Sequence, residues 1–273
     1  MNCVQIEHGR LKLTDILNRI DRAAAPAFAK HSVSSRRQFV TTAGASLGAL
    51  GLLSIPGVAS AKHEDTQTIL NVAATAEVLA TIVNTVGFKK GLGGDAVTQR
   101  NVRAAAREEL IHYQVLVASG GRSLTKKIWV PDAVFANRTN FLSTLEVGDQ
   151  IFVNAYLIAT HAFGSRRQED LATIAAEFMG VEAVHRALAR QSLGKLGNDR
   201  VFMKFDQKET APDAPNKGQP GFDELSGAVK QLQAAGFGLG VKGAGPGRFY
   251  DFDEVKKDTP NDPDLNTFLP DAN

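Results

Sequence analysis

The sequence predicts an all-α protein: a four-helix bundle of two antiparallel hairpins, with a long crossover between helices two and three and a loop-rich C-terminal extension. Three observations predict it. Apolar residues recur at helical spacing through four segments between Thr66 and Gly194. No alternating strand pattern of any length interrupts them. The links between the segments run short, long, short, and the middle one, at about 20 residues, is long enough to travel the length of a bundle. The composition agrees. A chain of 273 residues, 43% hydrophobic and 22% charged, is ordinary globular protein and excludes a wholly disordered, collagen-like or disulfide-stapled molecule. The single cysteine, Cys3, permits no intrachain disulfide and no thiolate metal site in the body.

Helix one is expected from about Thr66 to Val86. Glu77 is its only charge, set among Ile69, Leu70, Val72, Leu79, Ile82 and Val83, and Gly91-Leu92-Gly93-Gly94 stops it. Helix two runs from near Thr98 to Gly120-Gly121, with Val102, Ala105, Glu109, His112 and Leu116 on one stripe. Trp129-Val130-Pro131 falls in the crossover. Helix three spans roughly Thr139 to Phe163 and aligns Leu142, Glu146, Asp149, Val153 and Tyr156. Helix four follows Ser165-Arg166-Arg167-Gln168, which fits a capping box. It carries Leu171, Ala175, Phe178, Glu182, His185 and Ala189 along one face and stops near Gly194. The bundle domain is thus residues 62–195. In the extension, residues 196–273, a short helix fits residues 222–235 and a strand or clasp against the bundle fits Phe249-Tyr250-Asp251-Phe252. The Asp/Pro-rich residues 258–273 look extended. Gly238 to Gly243 formally match GxGxxG, but no apolar strand precedes them and no helix start follows, so no dinucleotide site is expected.

The N-terminal segment differs from the rest in charge. Residues 1–61 hold seven bases (Arg10, Lys12, Arg19, Arg22, Lys30, Arg36, Arg37) against three acids (Glu7, Asp15, Asp21) within a formal total of only +2. No basic patch in the body suggests nucleic acid. Arg36-Arg37 precedes a weakly hydrophobic Gly/Ala-rich run that ends in Ala59-Ser60-Ala61, an A-x-A cleavage site. Ser35-Arg36-Arg37-Gln38-Phe39-Val40 resembles the twin-arginine export motif, although Val40 and Thr41 stand where Leu and Lys are common. The reading is a twin-arginine signal peptide over residues 1–61, cleaved after Ala61. Its partner is the export machinery, met through Arg36 and Arg37, and the destination is the periplasm or the exterior. An ordinary secretory signal and an uncleaved anchor are the alternatives; the apolar run is short for a span.

Each of the four helices places a carboxylate near its middle, on the face its apolar neighbours mark as inward. An ionised carboxylate buried alone is costly. Two are followed by histidine three residues later, Glu109-x-x-His112 and Glu182-x-x-His185. Residues i and i+3 share a helix face, so each pair directs two ligands to one place. With Glu77 and Glu146 the set is four carboxylates and two imidazoles, which holds a pair of metal ions in carboxylate-bridged bundles. Oxygen and nitrogen donors without thiolate favour two iron or manganese ions. Two dications would also neutralise the four buried charges.

These residues stand in the helix order of the ferritin-like superfamily. Leu145-Glu146-Val147-Gly148 with Ala155-Tyr156, and Val181-Glu182-Ala183-Val184-His185-Arg186, resemble the ferritin-like domain family that includes desiccation-related proteins. The resemblance covers roughly residues 66–190 and implies a bundle with a dinuclear iron or manganese site, often on exported proteins. Glu109 and Glu182 would bridge the ions, with Glu77 and Glu146 terminal. It implies no single reaction. Two readings follow: an oxidoreductase of the cell envelope acting on peroxide, dioxygen or ferrous iron, or a non-enzymatic stress or desiccation-related bundle whose metal site is structural or vestigial. Neither requires a membrane span after cleavage, and both leave room for a homo-oligomer.

Other polar residues are read more plainly. Glu108 and Glu177 are expected to face solvent. Asp149, one turn from Glu146, is a candidate to hold a histidine nitrogen from outside the ligand set. His161 lies about 22 Å from Glu146 along a helix rising about 1.5 Å per residue and is not expected to be a ligand. Tyr113 and Tyr156 are read as core aromatics, with electron transfer the less expected role.

Overall fold

A computed structural model describes residues 64–198, 222 and 224–261. Arg36, Arg37, the Ala61 cleavage point, the whole of residues 1–61 and the chain end from residue 262 lie outside the described residues.

Four long helices form as expected: α1 (Thr66–Lys89), α2 (Ala96–Ala118), α3 (Arg138–Ser165) and α4 (Glu169–Ser192). Three have side-chain caps at the N-terminus. Asp65, Asp95 and Asn137 accept from the amides of Thr68, Thr98 and Asn140 at 2.7, 2.8 and 2.9 Å, each bond worth about 1 kcal/mol. The fourth start differs from the sequence expectation. Ser165 is the last residue of α3 rather than a cap, and Arg167 turns the chain at φ 57°. Gln168 occupies the cap position with no side-chain bond to the helix, because its amide oxygen accepts from the Thr66 hydroxyl at 2.7 Å instead. The turn is tight enough that backbone geometry, rather than a capping box, sets the start.

Helices α1 and α2 pack along their lengths as one hairpin, α3 and α4 as the other. Cross-links within the second hairpin fix its register. Arg186 reaches Gln150 at 3.3 Å, and Arg190 reaches Glu146 at 2.6 Å. Four residues forward on α4 is therefore four residues back on α3, as antiparallel packing requires.

The crossover, residues 119–137, holds a strand that the sequence pattern did not show: β1 (Lys127–Pro131). Its partners come from the C-terminal extension, which contributes α5 (Leu225–Ala234), β2 (Gly238–Leu239), β3 (Gly247–Asp251) and the one-turn α6 (Phe252–Val255). The sheet order is β2-β1-β3, antiparallel throughout, with Ile128 opposite both Leu239 and Tyr250. A five-residue strand ended by proline has no legible period. Its pairing depends on residues more than a hundred positions away. The glycine run 238–247 closes round Trp129: a Cβ at Gly243 would overlap the Gly236 carbonyl and stand 2.6 Å from the indole ring. Close packing on an aromatic side chain thus explains glycines that formally match a nucleotide motif.

The extension is part of the core. Phe252 is fully buried and meets Tyr113 edge-on at 4.6 Å. Glu64, ahead of α1, accepts from the amides of Leu225 and Ser226 at 2.8 and 2.9 Å and so caps α5. Among the described residues α1 alone is long and apolar enough to cross a membrane, and it is largely buried. The bundle covers one side and the extension the other, which accounts for a helix that is apolar nearly all round.

Candidate metal centre

Midway along the bundle, α1 contributes Glu77, α2 contributes Glu109 and His112, and α4 contributes Glu182 and His185, all buried. Asp149 of α3, also buried, completes the constellation. Ligand-type atoms gather in two groups: Glu77, Glu109, His112 and Glu182, and Glu109, Asp149, Glu182 and His185. Glu109 and Glu182 belong to both. Within each group the atoms lie within 4.8 Å of one another.

The spacings are informative. His112 Nδ1 stands 3.6 Å from Glu77 Oε2, 3.5 Å from Glu109 Oε2 and 3.4 Å from Glu182 Oε1. His185 Nδ1 is 3.2 Å from Glu109 Oε1 and 3.7 Å from Glu182 Oε2. Most of these exceed a hydrogen bond. Donors about 2.1 Å from a shared cation and tetrahedrally placed would be about 3.4 Å apart. The same atoms are orphans: Glu77 Oε2, Glu109 Oε2, both Glu182 oxygens, Asp149 Oδ2 and the Nδ1 atoms of both histidines are buried with no hydrogen-bond partner.

The electrostatics follow from crowding. Burial pushes the Glu77 carboxyl well up, and the Glu109 and Glu182 carboxylates add to it against His112. Burial, then the Glu182 carboxylate, raises Asp149 well above the usual range. Burial alone would lower His112 and His185. The surrounding carboxylates outweigh it, chiefly Glu109, Glu182 and Glu77 for His112 and Glu108, Glu109 and Glu182 for His185, so both are raised well above 6.5. Glu109 moves the other way, since the two imidazoles beside it overcome its burial and hold it low. Among protein groups alone, protons are shared to limit the negative charge.

Outer contacts fix the inner atoms. Glu108 Oε2 lies 2.6 Å from His185 Nε2 and is only partly exposed, so it turns Nδ1 toward Glu109 and Glu182. Tyr156 donates its hydroxyl to Glu77 Oε1, and burial followed by the Glu77 charge holds that phenol well above its ordinary pKa of 10.0. Asn84 reaches Glu109 Oε1 at 3.4 Å, and Phe178 stacks on His112 at 4.0 Å.

Of the residues predicted from the sequence, the structure brings Glu77, Glu109, His112, Glu182 and His185 together and leaves Glu146 out. Glu146 is buried, but its two oxygens pair with Arg190 at 2.6 Å and Lys195 at 2.5 Å. Register is the reason. Glu146 is level with Arg190, whereas the position level with His185 is close to Gln150, so Asp149 reaches the group and Glu146 falls a turn short. Glu108 is likewise corrected: it, rather than Asp149, holds a histidine nitrogen from outside the ligand set, and it does not simply face solvent. Asp149 carried a signal, its shared stripe with Glu146. Glu108 and Asn84 carried none, because each acts through a neighbour on another helix. Glu177 and His161 are exposed and outside the group, and Tyr113 packs on Phe252.

Residues 65–195 match the family model for the ferritin-like domain. The match begins and ends with the four helices, so this stretch of the chain is a ferritin-like domain. No curated protein and no solved structure matches the chain.

Proposed function

We propose that this ferritin-like domain binds two redox-active divalent ions, iron or manganese, and that the protein is an exported oxidoreductase acting on dioxygen or peroxide. One observation carries the reading: the orphaned buried oxygens and nitrogens converge on two adjoining points. Leaving them unpaired in the core costs several kcal/mol for each ion, and a pair of dications neutralises the four carboxylates. Glu77 and His112 would face one ion and Asp149 and His185 the other, with Glu109 and Glu182 reaching both. When bound, such a pair supplies two electrons, one from each ion, which with two protons reduce hydrogen peroxide to two waters.

The chain's own residues set the conditions. The Tyr156 hydroxyl proton engages one oxygen of Glu77 and leaves the other directed at His112. Glu108 engages Nε2 of His185, so the Nδ1 lone pair is free to coordinate. Phe178 closes the far side of His112 to water. The reading extends to location. Arg36-Arg37 and Ala59-Ser60-Ala61 support export by the twin-arginine route with cleavage after Ala61, which N-terminal sequencing of the exported protein at Lys62 would check.

Elemental analysis of the exported protein tests the centre. About two iron or manganese ions per chain are expected, with loading lost in Glu109→Ala and Glu182→Ala. No metal, and none taken up from ferrous or manganous salts, refutes the reading. Two ions without reaction toward dioxygen or peroxide supports the non-enzymatic stress-related bundle instead.

A further inference from the structure

A lateral cavity of about 50 Å³ opens between α1, α3 and the extension. Leu79 and Val83 of α1, Ile151 of α3, and Leu232 and Phe237 of the extension line it with apolar surface. Its rim is formed by the half-buried Val147, Gly148 and Ala235. Asn84, Asp149 and Thr144 form the polar part of its wall, and Asn84 Oδ1 and Asp149 Oδ2 are both buried without a partner. A second space of about 30 Å³ inside the bundle shares Asn84, Leu145 and Asp149 with the first and touches His185. Asp149 thus borders both spaces, one at the flank of α3 and the other reaching His185.

Gly148 opens onto this space. Thr144, Ile151 and Phe152, at i−4, i+3 and i+4, also line the cavity, so position 148 is central to the lining face. A Cβ there would meet no heavy atom within 4 Å. Glycine in a helix interior is unfavourable relative to alanine. The half-buried Gly148 thus faces open space at the mouth of the cavity, next to Asp149.

Resting on the two-metal reading above, we propose that this cavity is the access route to the metal pair for a small uncharged molecule, dioxygen or hydrogen peroxide, with Gly148 its specificity-determining residue and the C-terminal extension its outer wall. The size sets the class. A single water needs about 10–15 Å³ of such space, so 50 Å³ admits a molecule of a few heavy atoms, while metabolite sites run to about 300 Å³ or more. The apolar walls set the charge. A hydrated ferrous ion would lose most of its water against these walls, where only a few side-chain oxygens could replace it, so the route favours an uncharged molecule over ferrous iron.

The test uses the mature metal-loaded protein and two variants, Gly148→Ala and Gly148→Leu. Metal content stays at the wild-type value in both. Crystals under xenon pressure show xenon beside Gly148 in the wild type and none in Gly148→Leu. Reoxidation of the reduced centre, followed optically, slows by roughly an order of magnitude in Gly148→Leu, because a filled close-packed core admits small molecules poorly. Gly148→Ala is intermediate and guards against a misfolded leucine variant. Slowing with dioxygen, with peroxide or with both supports the route and identifies the traveller. Unchanged rates with full metal content overturn the route alone. A wild-type protein that holds no metal overturns the two-metal reading, and the route with it.

Discussion

Glu146 and Asp149 lie three residues apart on the same face of one helix, and the structure gives them opposite roles that substitution can separate. Glu146→Gln removes the charge opposite Arg190 and Lys195. The Glu146 and Arg190 side chains are 5% and 9% exposed, and breaking a buried pair by removing one partner costs about 3–5 kcal/mol. Lys195, at 33% exposure, relaxes into water, and Arg190 keeps a bond to the Leu196 carbonyl at 2.9 Å. The expected loss is therefore nearer about 2–4 kcal/mol, or a fall in Tm of about 5–15 °C for a domain of this size. Metal stoichiometry is unchanged. Asp149→Asn is nearly isosteric and removes an anion that Glu182 and burial already disfavour, so the metal-free protein is no less stable, but one ion per chain is lost. Elemental analysis and a thermal melt of each variant, with and without metal, decide it. Loss of metal in Glu146→Gln with full loading in Asp149→Asn would refute the register argument and restore the assignment read from helical periodicity.

Two further outcomes follow from the surroundings of the histidines. Glu108→Ala frees Nε2 of His185 and should weaken one ion by about 10–100-fold, read by competition with a chelator; an unchanged affinity would mean Glu108 has no orienting role. In metal-free protein, stability should fall as pH rises from about 6.5 to 9. His112 and His185 have folded-state pKa values above the unfolded value of about 6.5, so their contribution is complete below that pH and disappears as each loses its proton. Glu77 and Asp149, also raised, act in the same direction, while Glu109 is held low and ionised throughout. The slope is at most about 1.4 kcal/mol per pH unit for each proton retained on folding. A urea midpoint of metal-free protein that rises between pH 6.5 and 8.5 would contradict it, and metal should abolish the trend by replacing the protons.

What was legible in the sequence depended on how far each feature reaches along the chain. Helical periodicity is local, so α1 to α4 and the inward faces of Glu77, Glu109, His112, Glu182 and His185 could be read from runs of about twenty residues. Periodicity defines a stripe but no height on it. Glu146 and Asp149 share one stripe, and only the register of α3 against α4, set by contacts such as Gln150 with Arg186, shows which is level with His185. Arg190 and Lys195, which neutralise Glu146, belong to another helix end, and no pattern around Glu146 indicates them. Strand β1 was hidden for the same reason at longer range: Ile128 and Trp129 acquire their partners from Leu239, Gly238, Tyr250 and Phe249. Gly148 was the exception that the sequence displayed without explaining. A glycine inside a predicted helix, beside an inward acid, is a local oddity whose setting is visible only when the extension packs across it and leaves a cavity that borders Asp149.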